Sequence, residues 1–111
     1  MGYGFIGYSN REEFKDGESI FYTSCPYAYE PIFKETFGEE IRKFSGYVSK
    51  TKINKFINGV NNLKDNKDKY SNVVKPMRGY LDNCSFEFLL SDLEVLCELL
   101  QNKQVRYLNI A

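Results

Sequence analysis

The chain has 111 residues, no net charge, 42% hydrophobic and 27% charged residues, and not one histidine. That length fits one domain, residues 1–111, able to bury a core without disulfide or metal staples, and the composition excludes wholesale disorder. Without histidine there is no usual general base at neutral pH, no Ser–His or Cys–His nucleophile pair and no imidazole ligand. An enzyme is therefore not expected, and neither a metal nor a cofactor is implied.

Gly2–Tyr8 (GYGFIGY) alternates glycine with Tyr, Phe and Ile and predicts a strand. Ser9 and Glu12 have capping-box spacing, so a short helical turn is expected over Arg11–Lys15, ended by Asp16-Gly17. Ser19–Thr23 is β-branched and aromatic, a second strand that Ser24-Cys25-Pro26 should break. Pro31 suits the first turn of a helix carrying Phe33, Phe37, Ile41 and Phe44 at helical spacing; Gly38 divides it and Gly46 stops it. Ile53, Phe56, Ile57, Val60 and Leu63 form one apolar stripe behind a cap at Ser49 or Thr51.

The polar run Lys64–Lys69 reads either as a loop or as the exposed part of one long helix, since Tyr70, Val74 and Met77 keep the stripe's phase until Pro76 and Gly79. Cys84–Leu90 begins with strand-like alternation. Ser91, Glu94 and Leu90 then predict a capped helix start, with Leu93, Leu96, Cys97 and Leu100 facing the core and Asn102 as the stop. Val105–Ile110 predicts the last strand. The fold class is α+β: a small antiparallel or mixed sheet packed with about three helices.

The longest apolar stretch, Leu89–Leu100, is interrupted by Asp92, Glu94 and Glu98, so no membrane partner is expected; nor does the N-terminal stretch have the basic-then-apolar pattern of a secretion signal. Three cysteines, Cys25, Cys84 and Cys97, fit neither a disulfide framework nor a zinc site and point to a reducing, cytoplasmic setting. Cys25 beside Pro26 reads as a small turn residue, and Cys84 and Cys97 as inert core. Glu12-Glu13 and Glu39-Glu40 are adjacent, hence divergent on a helix, and read as solvated pairs.

Charge is segmented: residues 1–47 carry five basic and eight acidic groups, residues 48–81 eight and two, residues 82–111 two and five. The basic middle offers Lys50, Lys52, Lys55, Lys64, Lys67 and Lys69, with Lys75 and Arg78, as phosphate contacts. A solvated helix face carries lysine just as readily, and Asp65 and Asp68 interrupt the run. The aromatics are concentrated elsewhere, with twelve of the eighteen Tyr and Phe in the first 47 residues. Tyr3, Phe5, Tyr8, Tyr22, Tyr27 and Tyr29, with Phe21, either form a protein-binding patch or simply cover a small sheet.

Gly2–Gly7 matches G-x-G-x-x-G, but that motif needs a strand before it and a helix after it, which excludes the dinucleotide reading. Gly2, Tyr3, Gly4, Phe5, Ile6 and Tyr8 also resemble the aromatic octapeptide of the RNA-recognition-motif family. In that family aromatics on a central strand stack bases, so the resemblance implies outward-facing rings. Met1 stands where the family has Lys or Arg, and the family's preceding strand–helix–strand segment has no counterpart here. A glycine-rich strand whose Tyr and Phe pack on helices accounts for the same residues.

The expected function is a non-enzymatic protein-binding module, an inhibitor or antagonist of bacterial or phage type that occludes a site on a larger protein or nucleoprotein. The alternative is a single-stranded nucleic-acid binder using the 48–81 lysines with the N-terminal aromatics.

Overall fold

The computed structural model describes residues 2–74 and 86–111. The elements, in chain order, are β1 (Gly2–Tyr8), α1 (Arg11–Asp16), β2 (Phe21–Pro26), a 3-10 turn (Tyr27–Tyr29) and α2 (Glu30–Phe37). A second 3-10 turn (Ile41–Phe44), β3 (Gly46–Tyr47), α3 (Lys50–Asp65), α4 (Lys67–Val74), α5 (Phe86–Gln101) and β4 (Tyr107–Ile110) follow. The fold is α+β, as expected: one four-stranded antiparallel sheet in the order β2-β1-β4-β3. The expected stop at Pro76 and Gly79, the basic Lys75 and Arg78, and Cys84-Ser85 lie outside the described residues.

Period-2 burial runs along β1: Tyr3, Phe5 and Gly7 are buried, while Gly4, Ile6 and Tyr8 take the opposite face. In β4, Leu108 and Ile110 face inward and Tyr107 and Asn109 outward. Helices α2, α3 and α5 cover the inner face. A chain of rings fills the core: Phe5 meets Phe33 (5.8 Å between centroids), Phe33 meets Phe37 (5.7 Å), and Phe37 and Phe44 both meet Phe56 (5.3 and 5.6 Å). Edge-to-face and tilted geometries of this kind add about 0.5–1.5 kcal/mol per pair to the burial itself. The aromatic surplus is thus partly a core demand.

Gly59 is where α3 comes closest to α2, since a Cβ there would overlap the Phe37 ring. Asn62 Nδ2 donates to the Thr36 carbonyl at 2.8 Å beside that crossing. On the sheet side, buried Thr23 of β2 donates to Asp92 Oδ2 of α5 at 2.7 Å.

Local chemistry explains where the elements differ from expectation. The α1 cap is Asn10 rather than Ser9: its Oδ1 accepts from the Glu13 amide at 2.9 Å, and Asn caps as well as Ser. β2 continues through Ser24-Cys25-Pro26 instead of breaking there, because it is an edge strand, where a terminal proline is tolerated. Gly38, at φ 78°, ends α2 in the left-handed region, so Ile41–Phe44 forms a 3-10 turn that keeps both apolar residues buried. Ser49 caps α3 through the Lys52 amide, as expected. The polar run is neither a loop nor an unbroken helix: α3 ends at Asp65 and α4 starts at Lys67.

The largest departure lies before Ser91. Residues 86–90 belong to α5, not to a strand, and Ser91 is an exposed mid-helix residue. Phe86, Leu89, Leu90, Leu93, Leu96, Cys97 and Leu100 are all buried, one stripe of period 3.6 that outweighs the three-residue alternation Phe86-Glu87-Phe88. β4 accordingly returns as an antiparallel partner of β1.

Candidate functional site

The outer face of the sheet is built by side-chain parity. Register places Tyr8 opposite Tyr107 and Tyr47 opposite Tyr107, giving one row across β1, β4 and β3. Ile6 pairs with Tyr22 and Asn109 in the next row. The Tyr22 ring crosses over Gly4, whose missing side chain leaves room: a Cβ there would sit 3.7 Å from Tyr22 Cε1.

Helix α1 lies on this face and fastens one end of it. Phe14 stacks on Tyr107 (5.2 Å, 25° between planes) and receives Tyr8 edge-on at 5.5 Å, while Tyr47 closes on Tyr107 at 5.5 Å. Beyond this cluster Tyr22 is 64% exposed, Tyr47 59% and Ile20 52%, values high for large apolar groups. α1 and the turn after it add four carboxylates, Glu12, Glu13, Asp16 and Glu18, against Arg11 and Lys15. Glu13 Oε2 accepts from the Glu18 amide at 2.6 Å, which holds that turn closed.

The six aromatic candidates separate. Tyr8 and Tyr22 are on the outer face. Tyr3, Phe5 and Tyr29 are instead in the core, which removes them from any surface patch. Tyr27 is 40% exposed but packs edge-on against Tyr3 (5.0 Å), with the Arg42 guanidinium over both rings at 4.9 and 5.6 Å. Phe21 is partly buried against the core. The RNA-recognition resemblance implies outward-facing rings, but of its aromatics Tyr3 and Phe5 are buried and Tyr8 packs on Phe14, so the resemblance does not extend to base stacking here. Phe14, Ile20, Tyr47 and Tyr107 belong to the outer face and were not singled out by spacing. Their signal was weak: β3 has two residues, and Phe14 reaches the sheet only through α1.

The lysines belong to the helical layer. Lys50, Lys55, Lys64, Lys67 and Lys69 are exposed along α3 and α4, and Lys52 is half-buried. Lys52 Nζ donates to the carbonyls of Ser45 and Tyr47, both at 3.3 Å, and so ties α3 to β3. Lys69 pairs with Glu35 at 2.8 Å. That hydrogen bond raises the ammonium's pKa and holds the Glu35 carboxyl below the usual carboxylate range. The two sets meet at Tyr47 and Lys50, which line one groove, while Tyr8 and Tyr22 lie on the outer sheet face and Lys55, Lys64, Lys67 and Lys69 on the helical layer.

Cys25 and Cys97 are both buried. Burial, and then the Glu94 charge, push Cys97 up to about 12, so its thiolate is not populated at neutral pH. Among the described residues no group of three or more His, Cys, Asp or Glu side chains is placed to hold a metal, and no helix is long and apolar enough to cross a membrane. No protein-family model matches the chain, and no curated protein or solved structure is significantly similar to it.

Proposed function

We propose that this chain is a non-enzymatic protein-binding module that docks a larger protein on the outer face of its sheet and acts by occlusion. The observation that carries the reading is the exposed trio Ile20, Tyr22 and Tyr47 beside the Phe14–Tyr107–Tyr8 stack. Rigid aromatic groups supply contact area at little entropic cost, and a sheet presents them already ordered. The carboxylates of α1 border the same face and repel phosphate, which favours a protein over a nucleic acid as the partner. A reducing, cytoplasmic setting fits the buried thiols of Cys25 and Cys97.

The test is an affinity pull-down at moderate salt, with and without nuclease. Wild type is compared with the double variants Ile20→Glu/Tyr22→Glu and Lys55→Glu/Lys64→Glu. The expected result is one stoichiometric protein that survives nuclease, is lost with the outer-face variant and is retained with the lysine variant. Recovery that vanishes with nuclease, or that depends on the lysines instead, overturns the proposal and moves the binding surface to the helical layer.

A further inference from the structure

A concave feature borders the outer sheet face at Tyr47 of β3 and runs between the first half of α3, the end of α5 and the approach to β4. It is a half-open groove of about 520 Å³. Ile53, Ile57, Leu100 and Val105 make its apolar lining, and Lys50, Lys103 and Arg106 are its charged residues. Among the described residues no acidic side chain lines it; Glu94 and Glu98 of α5 open onto a different depression. Among the described residues none of the three cations has a carboxylate partner, although the molecule as a whole is neutral.

The end of α5 brings two of these charges together. The Lys103 amide donates to the Leu100 carbonyl (3.2 Å) and the Gln104 amide to the Leu99 carbonyl (2.9 Å), the hydrogen-bond pair of a Schellman cap. The left-handed residue of that cap is normally glycine, yet here it is Lys103, at φ 60°. Arg106 Nε then donates back to the Lys103 carbonyl at 3.4 Å, which holds the guanidinium against this cap. A side chain at a position that favours glycine, next to a second uncompensated cation on an apolar groove, is the arrangement an anion would stabilise.

We propose that this groove is a binding site for a small amphipathic organic anion, a carboxylate or sulfonate carried on a ring or short acyl body. Its volume falls within the roughly 300–1,000 Å³ usual for small-molecule sites. The cations take the headgroup and the apolar lining takes the body. The groove shares Tyr47 with the outer-face reading but involves neither Ile20 nor Tyr22, so substitutions at Tyr22 separate the two.

The experiment titrates the intact chain with decanoate below its micelle-forming concentration, with decyltrimethylammonium and acetate as controls. Calorimetry measures affinity and amide NMR shifts locate the site. Saturable one-to-one decanoate binding is expected, with shifts on α3, the end of α5 and Val105–Arg106, while neither control binds measurably. Lys103→Glu/Arg106→Glu should weaken decanoate at least tenfold, and Tyr22→Glu should leave it unchanged. Lys103→Gly is the sharper variant, because relieving the left-handed lysine should raise Tm while decanoate affinity falls severalfold. The proposal is overturned if decyltrimethylammonium binds as well as decanoate, if the charge reversals leave affinity unchanged, or if the shifts fall on the outer sheet face.

Discussion

The two faces of this sheet carry similar residues under opposite conditions. Inward, Tyr3, Phe5, Leu108 and Ile110 are enclosed by helices, and buried Thr23 reaches Asp92. Outward, among the described residues, Ile6, Tyr8, Tyr22, Tyr47 and Tyr107 have no helical layer over them except α1, which contributes one ring, Phe14. A residue's role here is decided by parity along the strand rather than by its type. A one-residue slip would exchange the core and the surface.

The widest contrast comes from truncating one ring on each face. Phe5→Ala should cost about 3–5 kcal/mol, because Phe5 is fully buried against the Phe33 ring and its truncation leaves a cavity in a packed core. Urea unfolding, read as a shift in midpoint at constant slope, measures it. A cost under about 1 kcal/mol would mean that the inner face is not the principal core, since small losses belong to surface sites.

Smaller is the effect of the polar tie beneath the sheet. Thr23→Val keeps the shape but leaves Asp92 Oδ2 without its 2.7 Å donor. A loss of about 1–3 kcal/mol is expected, the penalty of stranding a partly buried acceptor. The partner change Asp92→Leu, combined with Thr23→Val in a double-mutant cycle, should recover part of it.

Smaller again is the clamp on the outer face. Phe14→Ala removes the stack on Tyr107 and the edge contact with Tyr8, for about 1 kcal/mol. Its clearest readout is local: hydrogen exchange should quicken in Arg11–Asp16 while the amides of α3 and α5 keep their protection.

Much of the inner architecture was legible because burial imposes a period. The stripe Ile53–Leu63, the cap at Ser49 and the strand at Gly2–Tyr8 follow from spacing and cap chemistry, whereas Gly38, expected to divide a helix that Gly46 stops, is itself the stop. Parity was not legible, since β1 carries apolar groups in both of its alternating sets: Tyr3 and Phe5 in one, Ile6 and Tyr8 in the other. Only the position of the helices decides which set is covered. Phe86–Leu90 misled for a related reason, as the three-residue alternation Phe86-Glu87-Phe88 says less than the seven-position helical stripe that starts at Phe86. The groove was illegible because its charges come from residues 50, 103 and 106, brought together only when α3 packs against α5.

The smallest effect on stability is the most informative about function. Tyr22 is 64% exposed and leans over Gly4, so Tyr22→Ser removes little buried area and should change stability by no more than about 0.5 kcal/mol. An interface anchor behaves differently, because a tyrosine buried at the centre of a complex commonly costs about 2 kcal/mol or more when truncated. The two numbers therefore separate roles that a fold measurement alone would merge. If Tyr22→Ser unfolds like a core variant, the outer face is a structural surface that packs within the molecule. If stability holds while capture of the partner drops by tenfold or more, the ring is kept exposed for docking, and the unequal faces of the sheet are a division between folding and binding.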